Sequence, residues 1–154
     1  MTAIPSFDRS SQKTNIWLRD SLIHLDWTDS HRAYTALRAV LHALRDRLPL
    51  AEIVQLGAQF PTYIRGVYYE GWNPAHTPVK DRNKEAFLGQ IQAEFQPRAD
   101  VDAEDVARAI IRVLFYHVSA GEMEQVRNAL PHEIRQFWPA HRITLRDASR
   151  ICGR

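Results

Sequence analysis

Cysteine is almost missing from this chain. The one present, Cys152, has no partner for an internal disulfide, and neither a C-x-x-C redox pair nor a cysteine zinc site can form. That usage is what a reducing cytoplasm permits, and a cytoplasmic location is the expectation. Glycine is sparse, with six residues. No G-x-G pattern or phosphate-binding loop occurs, and no serine sits in a Gly-rich turn that would frame a nucleophile. An excess of either charge is lacking too: 20 basic and 18 acidic residues leave a formal charge of +2. That is not the field of a dedicated nucleic-acid binder, although net charge hides how the charge is distributed. Long apolar runs are also missing. The longest charge-free stretch, Ile53 to Ile64, contains Pro61 and two glutamines, and a membrane span needs roughly 20 apolar residues. Residues 1–15 are polar and carry no apolar core of signal-peptide type. These features lead to the expectation of a soluble protein without membrane association.

What is present is ordinary globular material. Hydrophobic residues make up 45% and charged residues 25% of 154, a length typical of one domain. Fifteen aromatics, four of them Trp, supply large anchors for a core.

The chain also matches itself. Shifted by 70 residues, Leu18 meets Leu88, Arg38-Ala39 meets Arg108-Ala109, and Leu44 meets Leu114. Glu52 then meets Glu122, Pro61 meets Pro131, Ile64-Arg65 meets Ile134-Arg135, and Tyr68 meets Trp138, all without a gap. Both copies carry helical periodicity. Tyr34, Leu37, Leu41, Leu44 and Leu48 recur at steps of three and four, as do Ala107, Ile111, Leu114 and Val118. Arg38, His42 and Arg45 fall off the first stripe. Period-two alternation, the mark of strands, is nowhere sustained. Pro49 and Ser119 stand where one helix should stop and the next begin, and Ser119-Ala120-Gly121-Glu122 fits a capping box. Pro61 and Pro131 open a short last helix in each copy.

The expected fold is therefore an all-α helical bundle of two tandem pseudo-repeats of about four helices each, forming one domain over 1–154. Repeat one covers about 14–69, an ordered linker 70–83, repeat two about 84–138, and a C-terminal helical tail 140–154. The leader through Ser11 is expected to be loose.

The runs Ala36-Leu37-Arg38-Ala39-Val40-Leu41-His42-Ala43-Leu44-Arg45-Asp46-Arg47-Leu48-Pro49 and Ile64-Arg65-Gly66-Val67-Tyr68-Tyr69-Glu70-Gly71-Trp72 resemble a bacterial family catalogued as domain of unknown function number twenty-two sixty-seven. The resemblance spans about residues 14–138. It implies a helical duplication and carries over no catalytic residue.

Candidate sites are few. His24, Asp26, Asp29 and His31 lie within eight residues, but their spacing fits no metal-ligand frame, and Asp29 or Ser30 reads better as a helix cap. No metal and no cofactor is expected. Glu104 and Asp105 are adjacent acids at a helix start, where the macrodipole favours them. A helix-turn-helix over 102–130 would present Glu122, Glu124, Gln125, Arg127 and Asn128, a mixture poorly suited to a phosphate backbone. Two features remain as partner-binding candidates. Tyr68, Tyr69 and Trp72 form an aromatic cluster that either anchors a partner or packs the linker. Arg142, Arg146 and Arg150 recur every four residues and would form a stripe on a terminal helix. The expected function is a non-enzymatic interaction module for a protein partner or for self-association, with nucleic-acid association through the arginine stripe as the alternative.

Overall fold

A computed structural model of the protein describes residues 4–97 and 100–140. Among these, seven α-helices and two 3-10 helices make up the regular structure, and there is no strand. The helices are α1 (Pro5–Leu25), α2 (Ser30–Arg45), α3 (Leu50–Ala58), α4 (Thr62–Tyr69), α5 (Lys84–Ala93), α6 (Ala103–His117) and α7 (Ala120–Ala129). The 3-10 pieces are Pro74–His76 and His132–Phe137.

Local signals account for the boundaries. The Asp29 carboxylate accepts from the backbone N–H groups of His31 (2.9 Å) and Arg32 (3.3 Å) and starts α2. Asp102 does the same for α6 through Glu104 (2.9 Å) and Asp105 (3.4 Å). Ser119 caps α7 by accepting from Glu122 N–H at 3.2 Å. The capping box is only half realised, however. Ser119 N–H donates to the side chain of Gln59 at 3.3 Å, and the Glu122 side chain turns elsewhere. α1 ends where Asp26 takes a left-handed conformation (φ 58°) and its N–H reaches back to the last turn.

The leader corrects an expectation. Residues 5–11 are helical, not loose: Pro5 occupies the first turn and Asp8 lies in it, both favourable at a helix N-terminus. α1 then runs 21 residues and packs most heavily on α6, next on α2, and also on α4. The Trp17 ring seals this contact, meeting Phe60 edge-on (5.5 Å) and stacking on His117 (4.6 Å).

The predicted stripes form the core. Leu37, Leu41 and Leu44 of α2 and Ile110, Ile111 and Leu114 of α6 are fully or almost fully buried, each worth about 1.5–3 kcal/mol of apolar burial. α2 is covered on more than its apolar stripe, since α1, α4, α5 and α6 all pack on it. As a result His42, Arg45 and Arg47, polar positions off or beyond the stripe, are also buried.

Local contacts recur at the 70-residue spacing. The Tyr68 hydroxyl donates to the Ile53 carbonyl (3.0 Å), and the Trp138 indole N–H donates to the Met123 carbonyl (3.2 Å). Arg65 donates to the Phe60 carbonyl and Arg135 to that of Leu130 at the same spacing, while their second acceptors, Gly57 and Asn128, differ by one position.

Candidate functional site

The predicted aromatic cluster faces inward. Tyr68 is fully buried, with its ring edge-on to Phe60 (5.0 Å) and to Tyr69 (4.9 Å). Burial holds its hydroxyl far above the usual tyrosine range, so it serves as a neutral donor. Tyr69 and Trp72 are half-buried, 5.6 Å apart, and Trp72 donates its indole N–H to the Thr77 hydroxyl at 3.0 Å. These contacts fasten the start of the linker to α3 and α4. Arg142, Arg146 and Arg150, together with most of the expected tail 140–154, lie outside the described residues.

Beneath the cluster lies a set of polar side chains that hold backbone. His42 Nε2 is 2.6 Å from the Val67 carbonyl. A carbonyl only accepts, so Nε2 carries the proton. Burial lowers the His42 pKa, the bond to Val67 opposes that, and the neighbouring Arg45 and Arg38 lower it further. Arg45 donates from one nitrogen to the carbonyls of Tyr68 (2.8 Å) and Glu70 (2.9 Å) and pairs through Nε with Asp46 at 2.9 Å. Arg47 spans from the Ala43 carbonyl (3.0 Å) to the Gln90 side chain (2.6 Å). Val79 N–H and Arg82 then tie the far end of the linker to the backbone carbonyls of Asp46 and Arg47. These cations and His42 support structure.

The histidine–aspartate candidates separate. Asp29 caps α2, and His24 packs its ring 5.5 Å from Tyr116, its pKa lowered by burial and then by Arg112. Among the described residues no group of three or more His, Cys, Asp or Glu is placed to hold a metal ion. Glu104 is occupied by Arg108 at 3.1 Å and Lys84 at 3.6 Å.

Sequence reasoning missed two concavities that lie on opposite flanks of α1. The first is an open groove of about 610 Å³ between the N-terminal half of α1, the start of α2 and α4. Leu18 and Tyr34 line it together with Phe7 and Tyr63, which are 61% and 55% exposed. Its lining holds no Asp, Glu, Lys or Arg. The second is a hollow of about 540 Å³ formed by α1, the α3–α4 junction and the end of α6. Arg9, Lys13, Arg65 and His117 line it, and no acidic residue does. His117 is held from behind: its Nε2 meets the buried Asp20 carboxylate at 2.8 Å. Burial alone would raise the Asp20 pKa, but the hydrogen bond and charge of His117, and then Arg19, outweigh it and set that pKa below the usual range. The four-residue spacing of Arg9 and Lys13, on one side of a helix, was the available signal. That signal counts only if residues 5–11 are helical, which their composition alone does not announce.

No helix among the described residues is long and apolar enough to cross a membrane. No curated protein matches the chain. One family model does match, over residues 14–137; it takes in α2 through α7 and the second 3-10 helix and leaves Phe7, Arg9 and Lys13 outside. The chain thus belongs to the family described as uncharacterized conserved protein (DUF2267).

Proposed function

We propose that this protein is a non-catalytic binding module that seats an amphipathic helix of a protein partner in the groove between α1, α2 and α4. The observation that carries this reading is the exposure of Phe7, from α1, and Tyr63, from α4, in the lining of one groove that Leu18 and Tyr34 also line. Large aromatics left half or more in water around a concave surface mark an interaction site. The groove is the kind that accepts a helix through residues spaced three and four apart. A photo-reactive phenylalanine analogue at position 63 tests this. A single protein should be cross-linked through an apolar helical segment, and the adduct should disappear when Leu18→Glu places a charge in the groove. The reading fails if irradiation yields no protein adduct.

Two tandem copies of one helical unit are part of the same proposal. In support, α3 and α7 start 70 residues apart, and the Tyr68–Ile53 and Trp138–Met123 hydrogen bonds repeat donor and acceptor at that spacing. The linker cluster and the groove belong to the first copy alone. Nucleic-acid association through Arg142, Arg146 and Arg150 has less support, because the described surface of α7 mixes Glu124 with Arg127.

A further inference from the structure

The hollow on the other flank of α1 has a lining unlike the rest of the surface. Elsewhere the described cations are mostly answered: Arg38 by Glu70 and Glu94, Arg32 by Asp100, Arg108 by Glu104. Arg9 and Lys13 have no ion pair or hydrogen bond among the described residues. They stand one turn apart on α1, where like charges repel. A third cation comes from a different element and is fixed in place. Arg65 is anchored by Nε to the Gly57 carbonyl and by one terminal nitrogen to the Phe60 carbonyl, both at 2.9 Å, which leaves its other terminal nitrogen free to donate. His117, from α6, is held by Asp20 and by its stack on Trp17. Pro61 and Thr62 also line the hollow, and no side chain caps the start of α4 there. The first backbone N–H groups of that eight-residue helix therefore add donors on the same side. Ser6, Ser10 and Gln59 complete a lining of donors without a carboxylate.

We propose that this hollow binds a phosphate group. Arg9 and Lys13 would meet its charge, Arg65 would donate from its free nitrogen, and the Thr62 amide would cap one oxygen. Phosphate suits the arrangement better than a lone carboxylate, because donors converge from α1 and α4 and a tetrahedral group presents acceptors in several directions. The volume leaves room beyond the phosphate for the body that carries it. This site is separate from the apolar groove and does not depend on what occupies that groove.

The test uses the full chain and its Arg9→Glu/Lys13→Glu variant. Both positions are exposed and make no described contact, so the fold should persist, and an unchanged thermal midpoint confirms that. In one arm, inorganic phosphate is titrated at constant ionic strength against chloride while backbone amides are followed by NMR. Saturable shifts at Thr62, Arg65 and the residues around His117, weakened at least tenfold in the variant, are expected. In the other arm, co-sedimentation with vesicles containing phosphatidic acid distinguishes a lipid headgroup from a soluble phosphate as the source. Variant-sensitive binding in either arm supports the site. The proposal is overturned if neither arm shows saturable binding, or if the shifts spread evenly over distant cations such as Lys80 and Arg112 and survive in the variant.

Discussion

Glu52 of α3 and Glu122 of α7 stand where these two helices pack together, and each buries one carboxylate oxygen that has no hydrogen-bond partner among the described residues. Burial raises the Glu122 pKa, and the charge on Glu52 raises it further. The sign of the pH effect follows from this. Unfolded, the group titrates near 4.5; at lower pH it is protonated in both states and has no effect. Between 4.5 and the higher folded value the unfolded state ionises first, so stability falls as pH rises, and above the folded value the full cost of holding a buried, repelled charge is present. Glu122→Gln should therefore stabilise the protein at pH 7 by on the order of 1 kcal/mol, the usual cost of a buried unsatisfied polar atom. The gain should vanish at pH 4. Urea unfolding of both proteins at the two pH values measures it.

Gly57 lies inside α3, a position where glycine costs a helix about 1 kcal/mol relative to alanine. Its reason is Tyr69. A Cβ built on Gly57 would meet Tyr69 Cζ at 2.8 Å and Cε2 at 3.1 Å. Tyr69 cannot move aside freely, because its ring is held between Tyr68 and Trp72. Gly57→Ala should therefore destabilise the protein by about 1–3 kcal/mol despite the better helix former, as overpacking does. Adding Tyr69→Ala should recover the alanine advantage, so that Gly57→Ala in that background is neutral or stabilising. A four-member cycle of chemical denaturation reads the coupling.

Much of this fold is legible in the sequence, for reasons tied to particular residues. The apolar stripes of α2 and α6 show in steps of three and four, and Ser119, Pro61 and Pro131 mark helix ends through local backbone chemistry. Those signals act over a few residues. The burial of His42 and Arg45 is invisible at that range, because their partners are carbonyls of Val67, Tyr68 and Glu70 more than 20 residues on. The same holds for both concavities. Phe7 and Tyr63, or Arg9 and Arg65, become neighbours only when α1 crosses the bundle. The first residues are polar, and only Pro5 and Asp8 signal the helix start that builds the α1 walls of both sites.

Asp20 and His117 couple the middle of α1 to the end of α6 across 97 residues of chain. The Asp20 pKa is lowered, so the carboxylate contributes stability above its unfolded value of 3.8 and loses that contribution as pH falls through its folded value. Asp20→Asn should destabilise the protein by about 1.5–3 kcal/mol near neutral pH, the range for hydrogen bonds to charged groups. The gap between wild type and variant should narrow on titration to pH 3. A gap that stays constant across that range would mean that ionised Asp20 contributes no charge-dependent stability.

Arg45 is the residue on which the linker most depends. Its guanidinium is almost fully buried and answers three acceptors at once, the carbonyls of Tyr68 and Glu70 and the Asp46 carboxylate. Truncation leaves Asp46 without its charge partner and two carbonyls without a donor, at a cost of about 3–5 kcal/mol for Arg45→Ala. Arg45→Lys should recover only part of this, since one ammonium cannot reproduce the planar fork that reaches all three. The two changes should also differ in where the protein opens. With α2 itself packed in the core, the first segment released is the linker, so limited proteolysis of Arg45→Lys should cut within residues 70–83 under conditions where the wild type stays whole. Cleavage elsewhere first, or none, would show that Arg82, Val79 and the Trp72 ring hold the linker without Arg45.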